Sequence, residues 1–232
     1  MQLENMTENL QKYKDFGLYL TEKSSLILKK YFRTKVKIEN KEDLSPVTIA
    51  DKNTEKMIRK LIMKEFPDHG IIGEEFGEYN PHAIYKWVID PIDGTKSFIC
   101  GNPMFGTLLA LLKNDYPILG IMNLPILGET LIGDNINTYL NGNQVYVRPC
   151  NNLSSAVLLT TDISNIADYR NIDSFNQLSS KVKLMRTWGD CYGYYLLATG
   201  YVDIMIDPIM SLWDLLALIP IIRGSGGIIT DY

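Results

Sequence analysis

The sequence predicts a layered sandwich of helices and sheets, of mixed α+β and α/β type, made of two subdomains. Two helical segments come first, with apolar residues at helical spacing over 6–32 and 45–66. Short strands separated by turn residues follow over 105–148, as in an antiparallel meander. After residue 155 strands and helices alternate, which is typical of an α/β unit. Because the pattern changes at Asn151–Ser155, we expect subdomains of residues 1–150 and 151–232.

Each element has a local reason in the sequence. Small residues in the first helix allow a close helix neighbour, and Pro67 ends the second helix. The charged segment 35–44 between them is predicted to be a loop. Gly70–Gly73 reads as a short strand, and Trp87–Ile89 as a buried strand that Pro91 stops. The other predicted strands are 105–112, 116–122, 129–132, 144–148 after the Asn141–Gly142 turn, 156–160, 182–185 and 202–206, and the other predicted helices are 172–180, 192–199 and 214–223.

Composition favours a globular protein that acts on a small molecule. With 232 residues and 46% hydrophobic residues, the chain can bury a sizeable core. Its net charge of −4, without a basic stripe, argues against nucleic acid as a partner. The longest apolar runs are too short to span a membrane, and the first ten residues lack the pattern of a signal peptide, so we expect a cytoplasmic protein. Cys100, Cys150 and Cys191 are predicted to be reduced thiols.

The chemistry is concentrated where the strand of Trp87–Ile89 ends. Asp90 and Asp93 follow it, and two carboxylates this close either share a proton or hold a cation. Oxygen ligands at this density favour magnesium, manganese or calcium over zinc. Directly afterwards, Gly94 and Thr95 offer two backbone N–H groups at a helix start, an arrangement suited to a phosphate oxygen.

Four further acidic residues have two interpretations each from position alone. Asp51, in the first turn of the second helix, could be no more than a negative charge that favours the helix dipole. Asp214 and Asp190 could be capping residues of later helices. Glu74 follows the Gly70–Gly73 strand together with Glu75, and one of these two acids could point inward.

The string Asp90-Pro91-Ile92-Asp93-Gly94-Thr95 resembles the signature of the inositol monophosphatase superfamily of magnesium-dependent phosphatases. Val47–Asp51 with Glu55 resembles the first acidic motif of that superfamily, and Trp213–Asp214 with Gly226–Gly227 resembles its second signature. This resemblance implies the inositol-monophosphatase-like fold, with the metal site between the two subdomains, and a homodimer. Two departures occur: Arg223–Ser225 replaces the usual acidic residue and alanine, and the chain ends at Tyr232, so the second subdomain is expected to be short.

The resemblance also implies roles for individual residues. The predicted metal ligands, for two or three Mg²⁺ ions, are Glu74, Asp90, the carbonyl of Ile92, Asp93 and Asp214. The predicted catalytic residues are Asp51 and Thr95, which would orient and deprotonate a water molecule, together with Glu74. The predicted substrate-binding residues are Ile92, Asp93, Gly94, Thr95, Arg186, Gly189, Asp190, Asp207 and Asp214.

The stretch Arg186–Tyr194 resembles the histidinol-phosphate phosphatase branch of the superfamily. On that resemblance Asp190 and Asp207 would meet a cationic substrate, and Arg186 would brace these acids or the phosphate. The expected function is therefore magnesium-dependent hydrolysis of a small phosphorylated metabolite, with histidinol phosphate the first candidate. Inositol phosphate, nucleotide 3'-phosphate and fructose bisphosphate are alternative substrates, and a non-catalytic dimeric homologue is an alternative of another class.

Overall fold

The computed structural model describes residues 2–35, 38–40 and 46–231. The strands are β1 (Ile38–Asn40), β2 (Pro46–Thr48), β3 (Gly70–Gly73), β4 (Gly77–Tyr79), β5 (Tyr85–Asp93), β6 (Gly106–Lys113), β7 (Tyr116–Leu124), β8 (Glu129–Gly133), β9 (Thr138–Leu140), β10 (Asn143–Gln144), β11 (Val157–Thr160), β12 (Leu184–Arg186) and β13 (Ile204–Ile206). The helices are α1 (Gln2–Tyr31), α2 (Ile49–Glu65), α3 (Thr95–Ile99), α4 (Ile163–Tyr169), α5 (Ile172–Ser179), α6 (Asp190–Ala198), α7 (Leu212–Leu215) and α8 (Leu218–Gly224). This is the layered α+β fold that the sequence predicts.

An eight-stranded sheet organises the first part of the chain, in the order β10-β9-β8-β7-β6-β5-β3-β4. All neighbours pair antiparallel except β3 and β5, which are parallel. Side chains alternate between the two faces of this sheet. Trp87, Ile89 and Leu109 face a core shared with α1 and α2, whereas Val88 and Leu108 face a core shared with α6 and α8. Helices therefore cover both faces.

A smaller parallel sheet follows, in the order β12-β11-β13. The chain leaves the large sheet after β10 and enters the small one at β11, close to the predicted boundary at Asn151–Ser155. However, α8 returns to pack against β7, β8 and β9 of the large sheet. The division into residues 1–150 and 151–232 therefore stays a prediction. Across the described ranges, no helix combines the length and hydrophobicity that a bilayer crossing requires.

Several sequence predictions of elements need correction. Pro91 does not stop its strand, because β5 continues to Asp93 through an irregularity. Of the predicted strand 144–148, only Gln144 lies in a strand, which is β10. The predicted helix 214–223 is divided into α7 and α8. The sequence interpretation also missed α4. Within the predicted loop 35–44, residues 38–40 form β1, and residues 36–37 and 41–44 lie outside the described residues.

His69 follows α2 and is buried between aromatic rings. Its ring stacks on Phe66 with centroids 4.6 Å apart and on Tyr85 with centroids 5.1 Å apart. Its Nδ1 accepts a hydrogen bond of 3.2 Å from Trp87 Nε1. Burial lowers the pKa of His69 to about 4, because the charged imidazolium would lose its hydration. A neutral histidine is therefore part of the packing beneath α1 and α2.

Replacing His69→Gln should remove part of the pH dependence of stability. An unfolded histidine binds a proton near pH 6.5, whereas folded His69 has a pKa of about 4, so acidification through this window favours unfolding. Between pH 7 and pH 4 the wild type should lose about 2–3 kcal/mol more unfolding free energy than the variant, measured by urea denaturation. His82→Gln, at an exposed histidine, is the control and should follow the wild type. Parallel profiles for His69→Gln and wild type would contradict this assignment.

Candidate metal centre

A cleft of about 400 Å³ lies where β5 meets α3, the end of β11 and the start of α6. Seven acidic residues line it: Glu74, Asp90, Asp93, Asp162, Asp190, Asp207 and Asp214. A volume of this size suits a small ligand rather than a macromolecule. Like charges at this density are costly unless a cation or protons compensate them, so the cleft has the electrostatics of a cation site.

Three of these acids converge. Asp90, Asp93 and Asp214 each offer a carboxylate oxygen, and the three oxygens lie within 4.8 Å of one another. In a regular strand, residues three apart point to opposite faces. Between Asp90 and Asp93 the register shifts, because three steps along β5 match only two steps along β6, from Leu108 to Gly106. This irregularity, a β-bulge, brings both aspartates to one side of the strand end.

Burial and mutual repulsion dominate the electrostatics of this group. The pKa of Asp90 is raised well above its ordinary value by burial first and then by the nearby Glu74, Asp93 and Asp214. The pKa of Asp93 is raised in the same way, by burial and then by Asp190 and Asp214. An all-carboxylate set of this kind fits a hard divalent cation, since oxygen ligands suit magnesium, manganese and calcium. These residues therefore fit the metal that the sequence predicts.

Glu74 and Ile92 complete the surroundings of the three aspartates. The backbone N–H of Glu74 donates a hydrogen bond of 3.2 Å to the carbonyl of Ile89 in β5. Glu74 lines the same cleft, and its carboxyl group is near enough to raise the pKa of Asp90. The N–H of Ile92 donates to Asp90 Oδ1 at 2.9 Å, and the carbonyl of Ile92 accepts from Thr95 Oγ1 at 3.0 Å.

Asp51 joins α2 to the cleft. It belongs to a capping box, in which its Oδ2 accepts from the Thr48 N–H at 2.8 Å and from Thr48 Oγ1 at 2.6 Å. Its other oxygen, Oδ1, lies 3.5 Å from Thr95 Oγ1, which is a long hydrogen bond. Burial raises the pKa of Asp51 to about 6. Asp51 therefore caps the start of α2 and contacts Thr95 at the same time.

Gly94 forms the turn between β5 and α3. Its φ of 86° is in the left-handed region, which favours glycine. A Cβ at this position would lie 3.0 Å from Asp190 Oδ2, so the absence of a side chain also allows Asp190 to approach the strand end. Gly94 thus follows Asp93 in the sequence and lies close to Asp190 in space.

Thr161, at the end of β11, connects two acids of the cleft, Asp190 and Asp207, through hydrogen bonds. The N–H of Thr161 donates to Asp207 Oδ1 at 3.1 Å, and its Oγ1 accepts from the N–H of Asp190 at 2.9 Å. Burial raises the pKa of Asp207. Burial, and then Asp207, raise the pKa of Asp190 to about 6, while Lys96 opposes the shift. A Cβ on Gly189 would lie 2.2 Å from Thr161 Cα, so glycine permits this close approach.

Two placements bear on the predicted substrate residues. Asp190 is not the N-cap of α6, because Gly189 occupies that position and no side chain caps the helix, so the capping interpretation is wrong. Asp190 itself has a φ of 50°, an uncommon conformation for a residue other than glycine.

Arg186 is exposed, donates to the carbonyl of Met185 at 2.7 Å, and is not among the residues that line the cleft. Its role at the substrate stays a prediction.

The sequence interpretation missed Thr161 and Lys96. Thr161 follows a strand of a parallel sheet, and ligands commonly bind at the carboxyl ends of such strands, so the strand prediction contained a usable signal. Lys96 follows Gly94–Thr95 directly, yet its influence on Asp190 depends on a contact between distant segments. No local pattern reports such a contact.

A sequence model of the inositol monophosphatase family matches residues 9–232. The chain belongs to this family of phosphatases. It is 44% identical over 226 residues to a chloroplastic bifunctional phosphatase of Arabidopsis thaliana, covering 96% of this chain but 65% of that protein's length. It is 39% identical to a histidinol-phosphatase of Chlorobaculum parvum, covering 98% of this chain and 87% of that protein. The structure of a Zymomonas mobilis inositol monophosphatase superposes with a TM-score of 0.78 at 37% identity, covering 90% and 81% of the two chains.

Membership agrees with the geometry of the cleft. Proteins of this family depend on a metal, and Asp90, Asp93 and Asp214 form an acidic group that could bind one. The motif that suggested the family, Asp90–Thr95, is the segment that contains the β-bulge and the left-handed turn. The pattern in the sequence thus corresponds to a backbone geometry that places carboxylates.

Asp93→Asn should stabilise the metal-free protein and remove its response to metal. Replacing one carboxylate relieves repulsion among Asp90, Asp93 and Asp214, so the melting temperature in a chelator should stay equal or rise by about 2–4 °C. Magnesium should raise the melting temperature of the wild type but not of the variant, as followed by differential scanning calorimetry. Asp168→Asn, at an exposed acid outside the cleft, is the control and should respond as the wild type does. An unchanged magnesium response in Asp93→Asn would exclude Asp93 as a ligand.

Proposed function

We propose that this protein is a magnesium-dependent phosphomonoesterase that hydrolyses a small phosphate ester, with histidinol phosphate as its substrate. The observation that carries this proposal is the convergence of Asp90, Asp93 and Asp214 beside the Thr95–Asp51 pair in a cleft of about 400 Å³. Family membership supports the reaction class. The names of relatives support the substrate only in part, because both histidinol-phosphatases and inositol monophosphatases resemble this chain.

In this proposal, two or three Mg²⁺ ions would be held by Glu74, Asp90, Asp93, Asp214 and the carbonyl of Ile92. When bound, the ions would supply positive charge to the phosphoryl and leaving-group oxygens and lower the pKa of a water molecule. The negative charge of the carboxylates is then compensated in the buried site. The backbone N–H groups of Gly94 and Thr95 would hold the phosphate.

Thr95 and Asp51 are proposed to remove the proton from the attacking water. The Thr95 hydroxyl has one hydrogen and two acceptors in reach, the Ile92 carbonyl at 3.0 Å and Asp51 Oδ1 at 3.5 Å. When it donates to Asp51, its oxygen can accept a hydrogen bond from water, and the proton can pass through Oγ1 to Oδ1. A pKa of about 6 makes Asp51 a suitable acceptor near neutral pH.

The substrate assignment depends on Asp190 and Asp207. Both are acids of the cleft, and neither belongs to the converging group of Asp90, Asp93 and Asp214. A substrate ammonium would lower the cost of keeping them charged, and a charge-assisted hydrogen bond contributes about 1.5–3 kcal/mol. Histidinol phosphate has an ammonium group and an imidazole, whereas inositol phosphate has neutral hydroxyls. Lys96 partly compensates Asp190 and would compete with the substrate cation.

A substrate panel with and without magnesium tests the function. Histidinol phosphate, inositol phosphate, a nucleotide 3'-phosphate and fructose bisphosphate should each be assayed for phosphate release. Magnesium-dependent hydrolysis of any of them would exclude the non-catalytic alternative, and a preference for inositol phosphate would overturn the assignment to histidinol phosphate. The homodimer and the cytoplasmic location stay expectations from the sequence.

Thr95→Ala should lower kcat by about 10²–10⁴-fold while leaving magnesium affinity nearly unchanged. Only the hydroxyl that receives the water proton is removed, and the carboxylates remain. Titration calorimetry with Mg²⁺ and single-turnover kinetics separate the two effects. Ser174→Ala, at an exposed hydroxyl of α5 that does not line the cleft, is the hydroxyl control for kcat. A collapse of magnesium affinity in Thr95→Ala would make Thr95 a structural residue of the site.

Asp190→Asn should reduce kcat/KM for histidinol phosphate by about 10- to 100-fold and reduce it much less for inositol phosphate. The variant keeps the shape of the side chain but removes the charge that would meet the substrate ammonium. Steady-state kinetics on both substrates provide the comparison. Equal losses on the two substrates would mean that Asp190 acts on the common phosphate or on the fold.

A further inference from the structure

Glu55 is a buried acid of α2 that none of the proposed catalytic steps uses. It lies four residues after Asp51, so both side chains are on the same face of the helix. Its side chain is 0% exposed, and burying a carboxylate is costly unless hydrogen bonds or charges compensate it. Its partners therefore indicate what the residue does.

The partners of Glu55 lie in the turn that contains Glu74. Glu55 Oε2 accepts from the N–H of Glu75 at 2.7 Å, and Oε1 accepts from the N–H of Phe76 at 3.2 Å. Arg59, one helical turn later, donates to Oε1 at 3.1 Å and to the carbonyl of Gly77 at 2.9 Å. Glu55 and Arg59 thus bind Glu75 and Phe76, which connect Glu74 to β4, and Gly77, the first residue of β4.

Gly73 makes room for this contact. A Cβ at Gly73 would lie 1.9 Å from Glu55 Oε1 and 2.5 Å from Glu55 Cδ, both on a fully buried group that cannot move aside. The backbone just before Glu74 therefore packs directly on the Glu55 carboxylate. On the other side, the N–H of Glu74 is held by the carbonyl of Ile89 in β5.

We infer that Glu55 is a positioning residue, which fixes the Glu74–Phe76 turn so that the Glu74 carboxylate faces Asp90. This inference rests on the proposed function, because it assumes that Glu74 is a metal ligand. Glu55 also links two parts of the site, since α2 carries Asp51 and Glu55 holds the turn that carries Glu74. Groups that orient metal ligands typically change metal affinity by about 10–100-fold when they are replaced.

Glu55→Gln tests the inference by magnesium titration without substrate. A glutamine has one oxygen and one NH₂ group, so at least one of the Glu75 and Phe76 N–H groups loses its acceptor. The apparent Kd for Mg²⁺ should rise about tenfold, while kcat at saturating Mg²⁺ should fall less than threefold. Hydrogen exchange of the Glu75 and Phe76 amides should accelerate, and exchange in β6 should not change.

Thr54→Val is the matched control. Thr54 is the neighbouring buried polar residue of α2, and its hydroxyl has no hydrogen-bond partner among the described residues. The magnesium affinity of the Thr54→Val variant should therefore stay within about twofold of that of the wild type. If Glu55→Gln fails to fold, Glu55→Asp carries the test, because it keeps the charge but is one methylene too short to reach both amides.

The outcomes separate this inference from the proposed function. A folded Glu55→Gln with magnesium affinity within twofold of the wild type would overturn the positioning role. Equal acceleration of exchange in the turn and in β6 would also overturn it, because Glu55 would then act on global stability. A wild-type protein that binds magnesium but hydrolyses no phosphate ester of the panel would instead contradict the proposed function alone.

Discussion

Repulsion among carboxylates is the constraint on which the site depends. Asp90, Asp93 and Asp214 bring oxygens within 4.8 Å of one another, and burial removes the water that would screen them. Such a group persists without a cation only if protons and backbone donors offset the charge. Burial and mutual repulsion raise the pKa of Asp90 and of Asp93, which favours protonation, and the Ile92 N–H donates to Asp90 Oδ1.

Hydrogen bonds at helix starts offset the negative charge of Asp214 and of Asp51, an acid outside the converging group. Asp51 in α2 and Asp214 in α7 both occupy the third helical position, where a carboxylate accepts the N–H of the residue that begins the helix, at 2.8 Å in each case. One oxygen is thereby fixed by the backbone. The other oxygen of Asp51 lies 3.5 Å from Thr95 Oγ1, and Asp214 lines the cleft. The same side chain therefore both caps its helix and belongs to the proposed site. A sequence pattern that capping explains fully does not exclude a role of that residue in the site.

How much of the fold and of the site could be predicted from the sequence depends on how far apart along the chain the interacting residues are. Helix α2 and the strands β3, β6 and β7 follow from local patterns, such as apolar spacing, Pro67 and turn residues, and the Asn141–Gly142 hairpin does too. The bulge between Asp90 and Asp93 depends on pairing with β6, and the contact of Asp190 with Gly94 depends on packing between distant segments. Single-sequence patterns do not report such contacts. The position of Asp90 and Asp93 at one strand end predicted that these two acids lie together, whereas only the family resemblance added Asp214.

Helix α2 contacts two parts of the site, the Thr95 hydroxyl and the turn that contains Glu74. Its first turn places Asp51 next to Thr95, and its second turn places Glu55 under the segment of Glu74. Because a helix is stiff over one turn, the separation between the Thr95–Asp51 pair and the Glu74 carboxylate is set largely by one element rather than by two loops. The same element packs through Ile58 and Ile62 against the face of the large sheet that contains Trp87 and Ile89. The precision of the site therefore derives from the hydrophobic core beneath it, since α2 cannot shift on that core without moving both acids.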